Sequence, residues 1–284
     1  MQVIEQVCDV RAQVKSWKQA GLTVGFVPTM GNLHAGHLSL VKIAQAQCDK
    51  VIASIFVNPM QFGPDEDFDR YPRTFKADSE KLAALATDAV FLPSVDEIYP
   101  RGLTQTVVSV PESITNLLEG ASRPGHFDGV STVVTKLFNM VQPDVAVFGQ
   151  KDYQQLLVIK QMVLDLALPI EIVAAPIGRD SDGLALSSRN QYLSAEQRQI
   201  APKLNVCLQD IAVALESGNR DYAALTETAI QQLIHEGFDG VDYIQICHPV
   251  TLVPSISSDQ IFVILAVARL GQTRLLDNLI VTLS

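Results

Sequence analysis

The fold is decided by the stretch Leu22-Thr23-Val24-Gly25-Phe26-Val27-Pro28-Thr29-Met30-Gly31-Asn32-Leu33-His34-Ala35-Gly36-His37. It begins with an apolar run, continues as a turn containing two histidines, and leads into a helical pattern over 38–47. A short apolar run that ends at a turn is typical of a strand buried on both faces of a parallel sheet. The stretch therefore predicts a strand, a turn and a helix in direct succession.

The same alternation continues through the first two thirds of the chain. Further apolar runs predict strands over 51–57, 89–92, 145–148 and 170–175, and helical patterns cover 76–86, 132–140 and 154–166. Strands separated by helices predict an α/β fold with a doubly wound parallel sheet. A mixed α+β domain is the alternative.

The pattern changes after Pro176. Helices are predicted over 195–216 and 222–236, a strand over 243–247, and a hairpin whose strands, 260–268 and 273–281, flank a turn. We therefore expect two domains. Residues 1–176 would form the first domain, and residues 177–284 a smaller α+β domain.

Composition argues against several classes of protein. The chain has 31 acidic and 21 basic residues and a formal charge of −10, which is unlike a nucleic-acid binder. No apolar run reaches the roughly 20 residues of a membrane span, and Glu5 and Asp9 interrupt any signal-like segment. The cysteines lack zinc-site spacing, so we expect reduced thiols in a cytoplasmic protein; they are Cys8, Cys48, Cys207 and Cys247.

The turn after the first long strand predicts an anion site. Gly31 and Gly36 permit close approach of the backbone, and the following helix presents free N–H groups at its positive end. His34 and His37, three residues apart, are expected to donate hydrogen bonds to phosphoryl oxygens as neutral or protonated rings. Ordinary surface histidines are the alternative, and zinc binding is disfavoured because no third ligand lies nearby in sequence.

Several motifs occur together and in order: Pro28 to His37 with its H-x-G-H pattern, Phe56 to Phe62, Tyr71 to Thr74, Arg123 to Phe127, Phe148 to Gln155, and Leu186 to Asn190. The first resembles the signature of the Rossmann-like nucleotidyltransferase superfamily. The set as a whole resembles the pantoate–β-alanine ligase family over essentially the full chain. The resemblance implies an ATP-dependent condensation of pantoate with β-alanine through a pantoyl adenylate, with release of pyrophosphate and AMP.

The resemblance also implies the roles of individual residues. His37, His34, Lys151 and Arg189 would carry the catalysis, and Gln61 and Gln155 would hold pantoate, with Gln61 also near β-alanine. Asn58 is expected to contact substrate because it follows a strand. The implied ATP-binding residues are Met30, Gly31, Asn32, Leu33, His34, Ala35, Gly36, His37, Gly149, Gln150, Lys151, Asp152, Gly178, Leu186, Ser187, Ser188 and Arg189.

Magnesium is expected on the ATP phosphates, where it takes only one or two protein carboxylates. Asp78 is a candidate ligand, whereas residues 65–69 are interpreted as an acidic surface loop. The loop over 63–73 is expected to help cover the site.

His126 is expected to have a structural or interface role, and the resemblance implies a homodimer. Gln150 stands where the family often has Glu, which we expect to tune ATP binding.

Three other functions remain open from the sequence. A plain adenylyltransferase shares the H-x-G-H pattern but is usually shorter and lacks the Val57 to Phe62 motif. A class I aminoacyl-tRNA synthetase would need further tRNA-binding domains. A non-catalytic binding module would leave unexplained why two histidines, Lys151 and Arg189 all fall on predicted ligand-facing turns.

Overall fold

The computed structural model describes residues 1–64 and 66–283, and the chain divides into two units. The first consists of Met1–Gln150 and Gln154–Pro176, and the second of Lys151–Tyr153 and Ile177–Ser284. The described residues include no helix that is long and apolar enough to cross a membrane.

The first unit is built from alternating strands and helices. In chain order they are β1 (Gln2–Ile4), α1 (Val7–Gln19), β2 (Val24–Thr29), α2 (Ala35–Gln47), β3 (Lys50–Ile55), α3 (Phe75–Ala84), β4 (Ala89–Phe91), the short helices α4 (Val95–Ile98), α5 (Glu112–Thr115) and α6 (Leu118–Ser122), then α7 (His126–Val141), β5 (Val145–Gly149), α8 (Tyr153–Asp165) and β6 (Glu171–Ala175). A 3-10 turn, Pro59–Gln61, lies between β3 and α3.

All six strands form one parallel sheet in the order β1-β4-β3-β2-β5-β6. The chain runs outward from β2 to β3 and β4, and then returns to place β5 on the other side of β2. Strands β2 and β5 therefore flank the point where the order reverses. Ligands of open α/β sheets bind at the carboxyl ends of the strands at such a point. The loops that follow Thr29 and Gly149 leave the sheet there.

The central strands are apolar because both faces of the sheet are covered. Phe26 packs in one core cluster with Phe138 and Phe148, whereas Val27 packs in another with Val41. Phe26 and Val27 have no exposed surface, as expected when alternate residues of one strand face two different helical layers.

The second unit has its own apolar core and a separate sheet. Its elements are the 3-10 helix Ser188–Tyr192, α9 (Ala195–Ile200), α10 (Lys203–Glu216), α11 (Tyr222–His235), β7 (Gly240–Cys247), β8 (Ile261–Leu270) and β9 (Thr273–Thr282). The three strands are antiparallel in the order β7-β8-β9, and Gly271 has the left-handed φ of 57° that the tight β8–β9 turn requires.

Three differences from the sequence-based expectations have local causes. The single helix predicted over 195–216 is two helices, because Pro202 cannot donate a backbone hydrogen bond within a helix. Helix α2 begins at Ala35, three residues earlier than predicted, because His34 caps it. The strand β1 was not predicted, since a run of three residues is too short to show alternation.

Candidate active site

The loop from Met30 to His37 connects β2 to α2 at the carboxyl edge of the sheet. Gly31 and Asn32 have φ of +87° and +51°, so two successive residues are left-handed. A Cβ on Gly31 would lie 3.1 Å from Ile55 Cγ2 and 3.3 Å from Asp78 Oδ2. Both the backbone conformation and the tight space therefore favour glycine at this position.

Residues of helix α3 hold this loop through hydrogen bonds to its backbone. The carboxylate of Asp78 has no exposed surface and accepts from the backbone N–H of Asn32 at 2.9 Å, from that of Leu33 at 2.8 Å, and from the Thr74 hydroxyl at 3.0 Å. Lys81 Nζ donates to the Leu33 carbonyl at 2.6 Å.

These contacts bear on two residues that the sequence assigns to the site. Both oxygens of Asp78 accept hydrogen bonds from the protein, so this carboxylate braces the loop, and its role as a magnesium ligand stays a prediction. Leu33 is buried, and its backbone N–H and carbonyl are hydrogen-bonded to α3, so it also supports the loop, and its contact with ATP stays a prediction.

His34 and His37 lie side by side at the start of α2. His34 is the N-cap residue and its Nδ1 accepts from the Gly36 N–H at 3.2 Å, while His37 Nδ1 accepts from the His34 N–H at 3.3 Å. The ring centroids are 4.1 Å apart. Because each Nδ1 accepts a hydrogen bond, each ring is neutral and carries its proton on Nε2. The positive end of α2 lies at the same place.

The 3-10 turn after β3 carries Asn58 and Gln61. Asn58 is buried; its Nδ2 donates to Gln61 Oε1 at 3.1 Å and to the Gly129 carbonyl at 3.1 Å, and its Oδ1 accepts from the Tyr99 hydroxyl at 2.6 Å. These bonds brace Asn58 within the first unit, and its contact with substrate stays a prediction. Gln61 Nε2 lies 3.2 Å from Met30 Sδ, and this contact joins the 3-10 turn to the loop from Met30 to His37.

Gln155 and Gln154 differ in environment although they are neighbours on α8. Gln154 is buried, and its amide donates to the carbonyls of Ile114 and Leu117 at 2.7 and 2.8 Å, so it braces the chain before α6. Gln155 is half-buried, and its side chain forms no hydrogen bond with the residues that the structure describes. Its amide is therefore available for a ligand.

The second unit holds the predicted cations. Lys151 is largely buried, lies 3.8 Å from Asp152, and has its carbonyl fixed by Asn278 Nδ2 at 2.8 Å. Ser187 caps the 3-10 helix that carries Arg189, accepting from the Arg189 N–H at 3.3 Å.

The segment before that helix is folded back on itself. The Leu186 N–H donates to the Gly178 carbonyl at 2.8 Å, which brings these two predicted ATP-binding residues together. Gly149 and Gln150 belong instead to the first unit, where the Gln150 N–H donates to the Ala175 carbonyl at 2.8 Å.

Comparison with known proteins identifies the family. The model of the family described as pantoate-beta-alanine ligase matches residues 2–280. The chain is 62% identical to pantothenate synthetase of Hydrogenovibrio crunogenus, and the match covers 100% of both chains. It is 56% identical to pantothenate synthetase of Ectopseudomonas mendocina over 100% of this chain and 99% of the relative.

This chain belongs to the pantoate–β-alanine ligase family.

Solved structures of pantoate–β-alanine ligases agree with this fold. Pantothenate synthetase from Thermus thermophilus has a TM-score of 0.91 at 45% identity, covering 98% of this chain and 99% of that one. Pantoate-beta-alanine ligase from Francisella tularensis, complexed with beta-gamma ATP and beta-alanine, has a TM-score of 0.83 at 36% identity, covering 98% and 97%. The fold class, the family and the enzyme class predicted from the sequence are confirmed.

The sequence did not point to the polar contacts that hold the second unit together. In the second unit Arg179 forms a two-pronged ion pair with Asp277, at 2.7 and 2.8 Å, and Asp277 is almost fully buried. The available signal was the polar pair Asp277-Asn278 in the middle of strand β9, between apolar residues on both sides. Polar residues inside a buried strand need specific partners, here Arg179 and the Lys151 backbone.

Proposed function

We propose that this chain condenses pantoate with β-alanine in two steps. The pantoate carboxylate attacks the α-phosphorus of ATP and expels pyrophosphate, which gives a pantoyl adenylate. The neutral amine of β-alanine then attacks the acyl carbon and expels AMP, so that a C–N bond forms as the acyl–oxygen bond breaks.

The observation that carries this proposal is the state of the histidine pair. His34 and His37 lie at the reversal point of the sheet and hold their protons on Nε2. Negative charge grows on the α-phosphate during attack, and preorganised donors stabilise such charge without reorganising. Neutral rings serve as donors here, and His37 need not transfer its proton.

The cations of the second unit serve the same step. Pantoate and ATP are both anions, so their repulsion must be offset before the carboxylate can attack. We assign Lys151 and Arg189 to the phosphates, since an ammonium acts as a point charge and a guanidinium binds two oxygens at once. Asn278 fixes the Lys151 backbone and Ser187 that of Arg189, which supports this assignment.

Magnesium would enter with ATP as part of the substrate. Among the described residues no group of three or more His, Cys, Asp or Glu side chains is placed to hold a metal ion. Glu66 of the acidic loop pairs with Arg123 at 2.6 Å, and Asp65 lies outside the described residues. The donor set therefore fits an ion held mainly by phosphates and water, as Mg²⁺ commonly is.

Covalent catalysis does not fit the two buried thiols of the second unit. Burial raises the pKa of the Cys207 thiol to about 11 and that of Cys247 to about 12, and the thiolate is the nucleophilic form. Positioning and charge stabilisation account for the proposed chemistry.

Replacing Gln61 with alanine should weaken pantoate more than ATP. Its amide contacts Met30, the first residue of the loop that leads to His37. A primary amide can both donate a hydrogen bond to a hydroxy acid and accept one from it. We expect the KM for pantoate to rise about tenfold, the scale of one or two lost hydrogen bonds. Steady-state kinetics with each substrate varied will measure this. Gln231→Ala, at an exposed glutamine of α11, is the control, and equal weakening of ATP would remove Gln61 from the pantoate site.

The reaction itself is tested by following AMP. The chain is mixed with ATP, Mg²⁺, pantoate and β-alanine, and each organic substrate is omitted in turn. AMP that accumulates catalytically only when both are present supports the ligase. Turnover with a phosphorylated acceptor would indicate an adenylyltransferase, and tight nucleotide binding without turnover would indicate a binding module.

We also propose that the chain acts as a homodimer, as the family resemblance implies. Light scattering during size-exclusion chromatography will distinguish a dimer from a 31.0 kDa monomer. The cytoplasmic location stays a prediction from the sequence.

A further inference from the structure

The backbone carbonyl of Gln61 is held by His126, in the first turn of α7, and by Arg123, which lies just before that helix. His126 Nδ1 lies 2.8 Å from this oxygen, and a guanidinium nitrogen of Arg123 lies 3.3 Å from it. A carbonyl oxygen only accepts hydrogen bonds, so His126 Nδ1 carries a proton. His126 Nε2 lies 3.1 Å from Arg123, which only donates, so Nε2 accepts. The two contacts fix one neutral tautomer of His126.

Charged neighbours hold Arg123 in place. Its guanidinium binds both oxygens of Glu66, at 2.7 and 2.6 Å, and lies 3.8 Å from Glu119. Burial and the Arg123 cation lower the pKa of His126 to about 4, against the opposing effects of Glu66 and Glu119. His126 therefore stays neutral near pH 7 and keeps its Nδ1 proton for Gln61.

The same turn of α7 meets the Gln61 backbone directly. A Cβ on Gly129 would lie 2.7 Å from Gln61 Cα, which shows that the helix and the 3-10 turn touch through their backbones. The Gly129 carbonyl accepts from Asn58, which in turn donates to the Gln61 amide oxygen. Gln61 is thus held at its carbonyl, its Cα and its side chain.

We propose that His126 and Arg123 are positioning residues that fix the Gln61 backbone and so hold its amide in the orientation that binds pantoate. This inference rests on the proposed function, in which Gln61 contacts pantoate. Neither residue need touch a substrate. The Glu66 carboxylate acts indirectly, because it orients the Arg123 guanidinium.

Two variants of nearly equal shape separate this role from general packing. In His126→Asn an N–H remains near the position of Nδ1, whereas His126→Leu removes the donor. We expect His126→Leu to raise the KM for pantoate about tenfold, equivalent to about 1.4 kcal/mol. The KM for ATP should change by less than about twofold, because one lost hydrogen bond acts locally. His126→Asn should restore the KM for pantoate to within about twofold of the unmodified chain.

The controls distinguish failure of the inference from failure of the proposed function. His235→Leu, at an exposed histidine of α11, should leave both KM values unchanged. An unmodified chain that neither binds pantoate nor releases AMP would overturn the proposed function and the inference with it. An active chain in which the Asn and Leu variants raise the KM for pantoate equally, or in which neither raises it, would overturn the inference alone. If His126→Leu does not fold, His126→Gln replaces it, because its N–H lies beyond the reach of the Gln61 carbonyl.

Discussion

Alanine in place of His37 is expected to slow formation of the pantoyl adenylate by roughly 10²–10³, the scale for losing one preorganised donor at a developing charge. The Nε2 proton of His37 is aimed by the hydrogen bond that Nδ1 accepts from the His34 backbone at 3.3 Å. Pantoate-dependent exchange of pyrophosphate into ATP, measured without β-alanine, isolates this step.

Two further variants separate the donor role of His37 from its capping role. His37→Asn keeps an oxygen that can accept from the His34 N–H but has no group at the position of Nε2. His37→Gln has an N–H near that position but no acceptor for the cap. If the donor carries the effect, the Asn variant is as slow as the alanine variant and the Gln variant is faster. A fast Asn variant would show that His37 only caps α2.

Replacing Asp78 with alanine is expected to damage both stability and adenylation. The change removes the acceptor of the backbone N–H groups of half-buried Asn32 and buried Leu33. At about 1–3 kcal/mol for each of the two unsatisfied groups, the free energy of unfolding should fall by roughly 2–6 kcal/mol. Without this support the loop, and with it His34 and His37, should shift. A misplacement of about 1 Å can cost about 10²-fold in rate. Urea denaturation and pyrophosphate exchange measure the two effects.

The matched control for Asp78 lies on the same helix. Glu80 is an exposed carboxylate of α3, and Glu80→Ala should change neither the unfolding free energy nor the exchange rate appreciably. Asp78→Asn keeps one acceptor oxygen and should fall between the alanine variant and the unmodified chain. A slow but fully stable Asp78→Ala variant with unchanged affinity for ATP and a raised requirement for Mg²⁺ would instead support a metal-ligand role.

The sequence predicted the parts of the site that are local in the chain. The order of strand, turn and helix around His34 and His37 follows from an apolar run, two glycines and a helical pattern within some 25 residues. The parallel sheet followed from the same kind of local pattern. The left-handed backbone conformation of Asn32 lies within one of these turns, but the residue pattern did not predict it.

The roles that the sequence missed depend on partners far along the chain. Asp78 accepts from residues 45 and 46 positions earlier, and Asn58 donates to a carbonyl 71 positions later. Residue type alone suggests ligands, since a carboxylate suits a metal and an amide suits a hydroxy acid. Burial and long-range hydrogen bonds show that both groups also have partners within the protein.

The most direct test of the proposed reaction is the fate of the carboxylate oxygens of pantoate. With pantoate labelled with ¹⁸O in its carboxylate, attack on the α-phosphorus transfers one labelled oxygen to AMP. Mass spectrometry of the AMP released in the complete reaction should therefore show one ¹⁸O per molecule. Label found in inorganic phosphate together with ADP, or AMP without label, would contradict formation of a pantoyl adenylate.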